Sequence, residues 1–460
     1  MRMTKAASTG QTLHFSTALL PGGWASDVRI VVADGLIGVI AAEQPAQAGD
    51  ERHAIGLPGM SNLHSHAFQR GMAGLAEARG ANDDSFWTWR ETMYRFVDRI
   101  DPDQLRTIAA LAYAEMLETG FTRVGEFHYL HHDAAGASYA DPAQLSQAIV
   151  AAAADSGIAL THLPVFYAHA GFGGTPPSPA QRRFIHDLDG FARLLDAARS
   201  AVAVLPDAVV GIAPHSLRAV TAEELRHLAA RAGDAPIHIH VAEQVREVDD
   251  CLAWSGRRPV EWLLDEMPVD ERWCMVHATH MTDIEATRLA ASGAVAGLCP
   301  ITEANLGDGL FPAAAFLAAG GRFGIGSDSN VLIDMTEELR WLEYGQRLGH
   351  QARNIWASGP GRSSGQDMFV GAADGGAQAL GVTGGLVVGG SADIVSLDAR
   401  HPSLAGKSAS TILDGLLFAG GRGAIDHVWR RGEKLVSGGR HHARDRLAED
   451  YRRTLAALLA

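Results

Sequence analysis

The chain has 460 residues, 47% hydrophobic and 20% charged, which suits a folded globular protein of more than one domain and excludes a disordered one. Its formal net charge of -14 argues against a general nucleic-acid or anionic-membrane surface. Residues 1–10 lack a signal-peptide pattern and no apolar run is long enough to span a bilayer. The three widely spaced cysteines, Cys251, Cys274 and Cys299, suit reduced thiols in the cytoplasm rather than a disulfide framework.

In chain order, residues 12–15, 28–33 and 36–41 alternate short apolar runs with turn residues and predict small antiparallel strands. The same texture returns at 392–398, and at 427–429 with 433–436. Together the two ends predict one small β-sandwich domain, from residues 1–57 and 383–460. Between them, apolar strands at 56–64, 122–127, 159–165, 209–214, 236–241, 273–277, 294–299 and 322–326 alternate with helices such as 103–119, 142–156, 222–232 and 259–266. Eight strands in that alternation predict an α/β fold, a (β/α)8 barrel over residues 58–382. The Gly- and Pro-rich stretch 171–179 predicts a mobile loop over one end of it.

In such barrels the chemistry lies at the C-terminal ends of the strands. The first strand ends in His64-Ser65-His66, whose histidines face one side of a strand. The fifth ends in His238-Ile239-His240-Val241-Ala242-Glu243, the sixth in His277 and the eighth in Gly326-Ser327-Asp328-Ser329. His64, His66, His240 and Asp328 supply nitrogen and oxygen contacts suited to one divalent metal, above all Zn2+. His240 is preferred to His238 because it lies nearer the strand end. Taken singly, each has a bland reading: Asp328 as a helix cap, Glu243 as a solvated carboxylate, His277 as a satisfied core histidine. The lysines are Lys5, Lys407 and Lys434, so no lysine is available to bridge two metals; Glu126 or a cysteine is the remaining bridge candidate.

This order of residues resembles the amidohydrolase superfamily, and His240-Val241-Ala242-Glu243 resembles the His-x-x-Glu element of its deaminase branch. Cys299-Pro300 with Asn305-Leu306-Gly307 resembles the strand-seven segment of cytosine and guanine deaminases, but Thr302-Glu303-Ala304 departs from it. Three further runs resemble the formimidoylglutamate deiminase family: residues 62–71, Pro214-His215-Ser216-Leu217-Arg218, and Ser327-Asp328-Ser329-Asn330. The resemblance implies a zinc-dependent hydrolase of histidine catabolism that converts N-formimino-L-glutamate and water to N-formyl-L-glutamate and ammonia. It implies Glu243, His277 and Asp328 as catalytic groups, and Gln69, Arg90, Tyr129, His215, Arg218 and Ser329 as substrate-binding ones. Arginine suits the two carboxylates of that substrate, because its planar fork binds a carboxylate through two parallel hydrogen bonds. The expected partner is therefore a small carboxylate-bearing molecule, with no nucleic acid or membrane, and a homodimer is an open possibility. Two other readings stand beside it: an amidohydrolase that deaminates a nucleobase or nucleoside, and a non-catalytic metal-binding barrel.

Overall fold

The computed structural model of the chain describes residues 10–79 and 86–460. Four strands open it: β1 (Gln11–Leu20), β2 (Gly23–Ala33), β3 (Leu36–Ala41) and β4 (Glu51–Pro58). The central strands are β5 (Met60–Ser65), β6 (Phe121–His128), β7 (Ala159–Phe166), β8 (Val209–Val210), β9 (Ala213–Pro214), β10 (Ile237–Val241), β11 (Trp273–His277), β12 (Val295–Leu298) and β13 (Arg322–Ile325). Four more close it: β14 (Ile394–Leu397), β15 (Ile425–Arg430), β16 (Glu433–Ser437) and β17 (Arg440–His441).

The two chain ends build one eight-stranded sheet in the order β17-β16-β15-β14-β4-β1-β2-β3. These strands follow a single hydrogen-bonded path. The reason is β4, which pairs parallel with β1 on one side and antiparallel with β14 on the other. Leu13, Phe15, Val28, Ile30, Ile394 and Trp429 form its buried side.

The central strands form two parallel sheets, β5-β6-β7-β8 with β9 paired to β7, and β10-β11-β12-β13. Every residue of β5, β6, β7, β10 and β11 is buried, as expected of parallel strands with both faces covered. The sheets meet at both edges. Ser65 bridges Asp328 at one edge; Ile212 bridges Ile237 and Ser216 bridges His240 at the other. The helices between are capped as their sequences suggest; Asp101 and Gln104 form a capping box at Pro102–Glu118.

The structure redraws two predicted strands. The run 56–64 divides at Gly59, so that β4 joins the terminal sheet and β5 the central one. A Cβ at Gly59 would stand 2.2 Å from Thr122 Oγ1, so only glycine passes there. The run 209–214 divides at Gly211, where a Cβ would stand 2.6 Å from both Leu163 and the Pro236 carbonyl. The segment 171–179 folds back on itself through Ala170 N–H to Thr175 O at 2.9 Å, with Phe172 stacked on Trp254. Among the described residues no helix is long and apolar enough to cross a membrane.

Candidate metal centre and reaction cavity

The ends of β5, β10 and β13 bring His64, His66, His240 and Asp328 together, with one ligand atom of each within 4.8 Å of the others. His64 Nε2 lies 3.2 Å from His66 Nε2 and 3.1 Å from His240 Nε2. Asp328 Oδ1 lies 3.5 Å from His64 Nε2 and 3.3 Å from His66 Nε2. His66 Nδ1 donates to the Phe127 carbonyl at 2.9 Å, and His240 Nδ1 to the His215 carbonyl at 3.0 Å. Those bonds fix both tautomers, so both Nε2 lone pairs point at His64. Burial lowers the pKa of His64 to about 3, so it too is a neutral imidazole with one ring nitrogen able to offer a lone pair. Neutral imidazoles converging beside a carboxylate are a set of donors that a cation can coordinate. The donor set therefore fits a borderline divalent metal.

The frame around this cluster is polar and rigid. Asn62 Oδ1 accepts from Ser327 N–H at 3.0 Å, and its Nδ2 donates to Ser327 Oγ at 2.6 Å. Asn330 Nδ2 lies 3.1 Å from Ser65 Oγ, His66 O and Asp328 O. These bonds tie the end of β5 to the turn after β13. Gly326 lets the two approach, since a Cβ there would sit 2.7 Å from the His64 carbonyl. Ala242, His277, Ala278, Asp328 and Asn330 all adopt positive φ, a strain concentrated where the strands deliver side chains to the site.

His277 and Glu243 stand beside the cluster. His277 Nε2 is 3.8 Å from both Glu243 Oε1 and Asp328 Oδ2, and its Nδ1 is 3.2 Å from Glu303 Oε1. Burial opposes charge on His277, but Glu243, Glu303 and Asp328 outweigh it and hold its pKa above the usual histidine value. Burial pushes the Glu243 carboxyl up. Glu247 accepts the N–H groups of Ala242 and Glu243 at 3.2 Å and so holds that turn. His238 turns away and binds the Ala379 carbonyl at 2.7 Å.

Above the cluster lies a cavity that opens toward solvent. His66, Gln69, Arg90, Tyr129, His215, Arg218, His240, Glu243, His277 and Asp328 all line it. Gln69 Nε2 donates to Tyr129 Oη at 2.8 Å. Arg90 lies 4.4 Å over the Trp87 ring. The Arg218 guanidinium is buried, its nearest carboxylates, Glu247 and Glu243, are 3.8 and 3.9 Å away, and its Nε has no partner.

Ser329, expected from the resemblance to bind substrate, is not among the residues that line this cavity; its hydroxyl lies 3.0 Å from Thr302 Oγ1. The chain takes a positive φ at Asp328, immediately before it. Glu126 stands outside the four-residue cluster; its Oε1 accepts Ala67 N–H at 2.8 Å, and burial raises its pKa to about 8. Cys299 shares Asp328 with His277 in a second triplet of residues close enough to one another to share an ion. Tyr94, Tyr167 and Phe184 complete the walls and Glu303 orients His277. The sequence reading missed those roles; aromatic and acidic residues this far apart carry no local signal of a shared cavity.

Comparison with known proteins matches residues 55–435 to the amidohydrolase family and residues 11–54 to the N-terminal domain of formimidoylglutamate deiminase HutF. The chain belongs to the amidohydrolase family, and within it to the formimidoylglutamate deiminases. It is 52% identical over 445 residues to a formimidoylglutamate deiminase of Pseudomonas aeruginosa, covering 96% of this chain and 98% of that one. A crystal structure of an amidohydrolase from Brucella melitensis superposes with a TM-score of 0.95 at 54% identity, covering 98% of this chain and 100% of that one. An 8-oxoguanine deaminase of Pseudomonas aeruginosa is 30% identical, over 71% of this chain and 73% of its own.

Proposed function

We propose that the protein hydrolyses N-formimino-L-glutamate to N-formyl-L-glutamate and ammonia, the deimination step of histidine degradation. The observation that carries this reading is Arg218, a buried guanidinium with an unpartnered N–H in the wall of the cavity. A buried cation held that far from its carboxylates fits an anionic ligand. Arg90 offers a second guanidinium for the second carboxylate, and the 52% identity to a formimidoylglutamate deiminase supports the same substrate. The bridged edges of the two parallel sheets support a closed (β/α)8 barrel over residues 58–382, with residues 1–57 and 383–460 as one β domain.

We assign a single Zn2+ to His64, His66, His240 and Asp328, on the donor set. Bound there, such an ion acidifies a water and so provides a nucleophile near neutral pH. Asp328 is placed to take the proton of the attacking water. Attack at the formimino carbon gives a tetrahedral centre. Glu243 carries a proton to the departing nitrogen, which leaves as ammonia. His277, oriented by Glu303, directs an N–H at the developing charge. Gln69 leaves its Oε1 unpartnered, an acceptor for a substrate N–H.

The test is an ammonia-release assay on formiminoglutamate beside guanine, cytosine and adenosine derivatives, with metal measured on the same preparation. Release from a base or nucleoside and not from formiminoglutamate overturns the reading. Arg218→Met should lower kcat/KM for formiminoglutamate by about 2–5 kcal/mol of transition-state binding, the range for stripping a partner from a buried charge pair. An uncharged formamidine should lose little further in the variant. The loss should arise with metal content and melting temperature near wild type; equal losses on both compounds make Arg218 a structural residue.

A further inference from the structure

Outside the reaction cavity, and sharing Arg90, Tyr167 and Arg218 with it, lies a vestibule of about 1010 Å3 of empty space. Three guanidinium groups gather there around one ring. Arg90, Arg246 and Arg218 have their Cζ atoms 4.4, 4.7 and 6.0 Å from the Trp87 ring. Like charges do not collect by chance in a chain of net charge -14; each costs repulsion from the other two. The ring faces offset part of that cost by cation–π attraction and leave the N–H edges free to point elsewhere. Arg90 and Arg218 belong to the cavity already described; Arg246 does not. It sits at the start of the helix Val245–Ser255, on the outer side of Trp87. Its carboxylate neighbour, Asp250, is 3.6 Å away, and both side chains are more than half exposed, so the pair is loose.

We propose that Arg246, seated on Trp87, forms an outer anion subsite that draws small dicarboxylates into the cavity, where Arg90 and Arg218 take them over. The inference rests on the reading that the substrate is such a dianion, and it adds a group outside the reaction cavity. The chain as a whole repels an anion at long range. Within a Debye length of about 10 Å at 0.1 M salt, the local field of three arginines governs instead. Asp250 is the counterweight: its negative charge 3.6 Å from Arg246 tempers the subsite.

The experiment is calorimetric titration of the metal-loaded protein with glutarate, which carries both carboxylates and no reacting amidine, and with glutaramide, its uncharged isostere. Arg246→Met should weaken glutarate about two- to five-fold, the scale of one exposed charge, and Asp250→Asn should tighten it by up to about two-fold. Both differences should shrink as salt is raised from about 20 to about 200 mM. Glutaramide should bind both variants as it binds wild type. Glutarate binding unchanged in Arg246→Met, or a loss shared by glutaramide, overturns the proposal. Failure of the deiminase reading shows separately, as absence of ammonia from formiminoglutamate while salt-sensitive glutarate binding persists.

Discussion

His66→Ala should strip most of the metal from the protein and nearly all of its turnover. The alanine removes one of three converging imidazoles and leaves Phe127 O without its donor. What remains is His64, His240 and Asp328, a set with one nitrogen fewer and less constraint on the rest. Removing only the hydrogen-bond partner of a ligand costs roughly 10–100-fold in metal affinity, and removal of the ligand itself should exceed that. Elemental analysis after dialysis, with ammonia release on the same sample, checks both effects. Wild type should hold about one equivalent tightly. Two tight equivalents per active chain would contradict the assignment and point to Glu126 or a cysteine as the bridge.

Glu243→Gln should leave metal content near wild type and cut turnover by roughly 10²-fold or more, the scale of a general acid–base group. The glutamine keeps the shape of the side chain and its position after β10. It cannot cycle a proton. Glu243 is well placed for that cycle: burial raises its pKa, while His277 3.8 Å away and Arg218 3.9 Å away pull it down. Single-turnover rates separate chemistry from release. Normal turnover in the variant would make Glu243 a solvent-shielded carboxylate without a part in the reaction.

Much of the site could be read along the chain because strand periodicity and strand ends are local properties. His64 and His66 share a face by alternation alone, and β10 and β11 end where their apolar runs end, which placed His240, Glu243 and His277. The choice of His240 over His238 agrees with the structure, where His238 binds Ala379 O instead. Ser329 shows the limit of adjacency. It follows Asp328 directly, yet the chain takes a positive φ at Asp328 and the two side chains meet different neighbours. Glu247 shows another limit: it is not singled out from the sequence, yet it is fully buried and accepts the N–H groups of the turn that carries Glu243.

By itself the sequence determined the alternation of strands and helices, the residue types able to hold a metal, and the lack of a lysine to bridge two. Each follows from local pattern or from composition. Only the tertiary structure decided that the chain ends share one sheet through β4, that Glu303 orients His277, and that three arginines meet at Trp87. Those facts depend on contacts between residues far apart in the chain. Such contacts are set by how strands register and how closely glycines such as Gly59 and Gly326 let backbones approach, which no stretch of sequence encodes on its own.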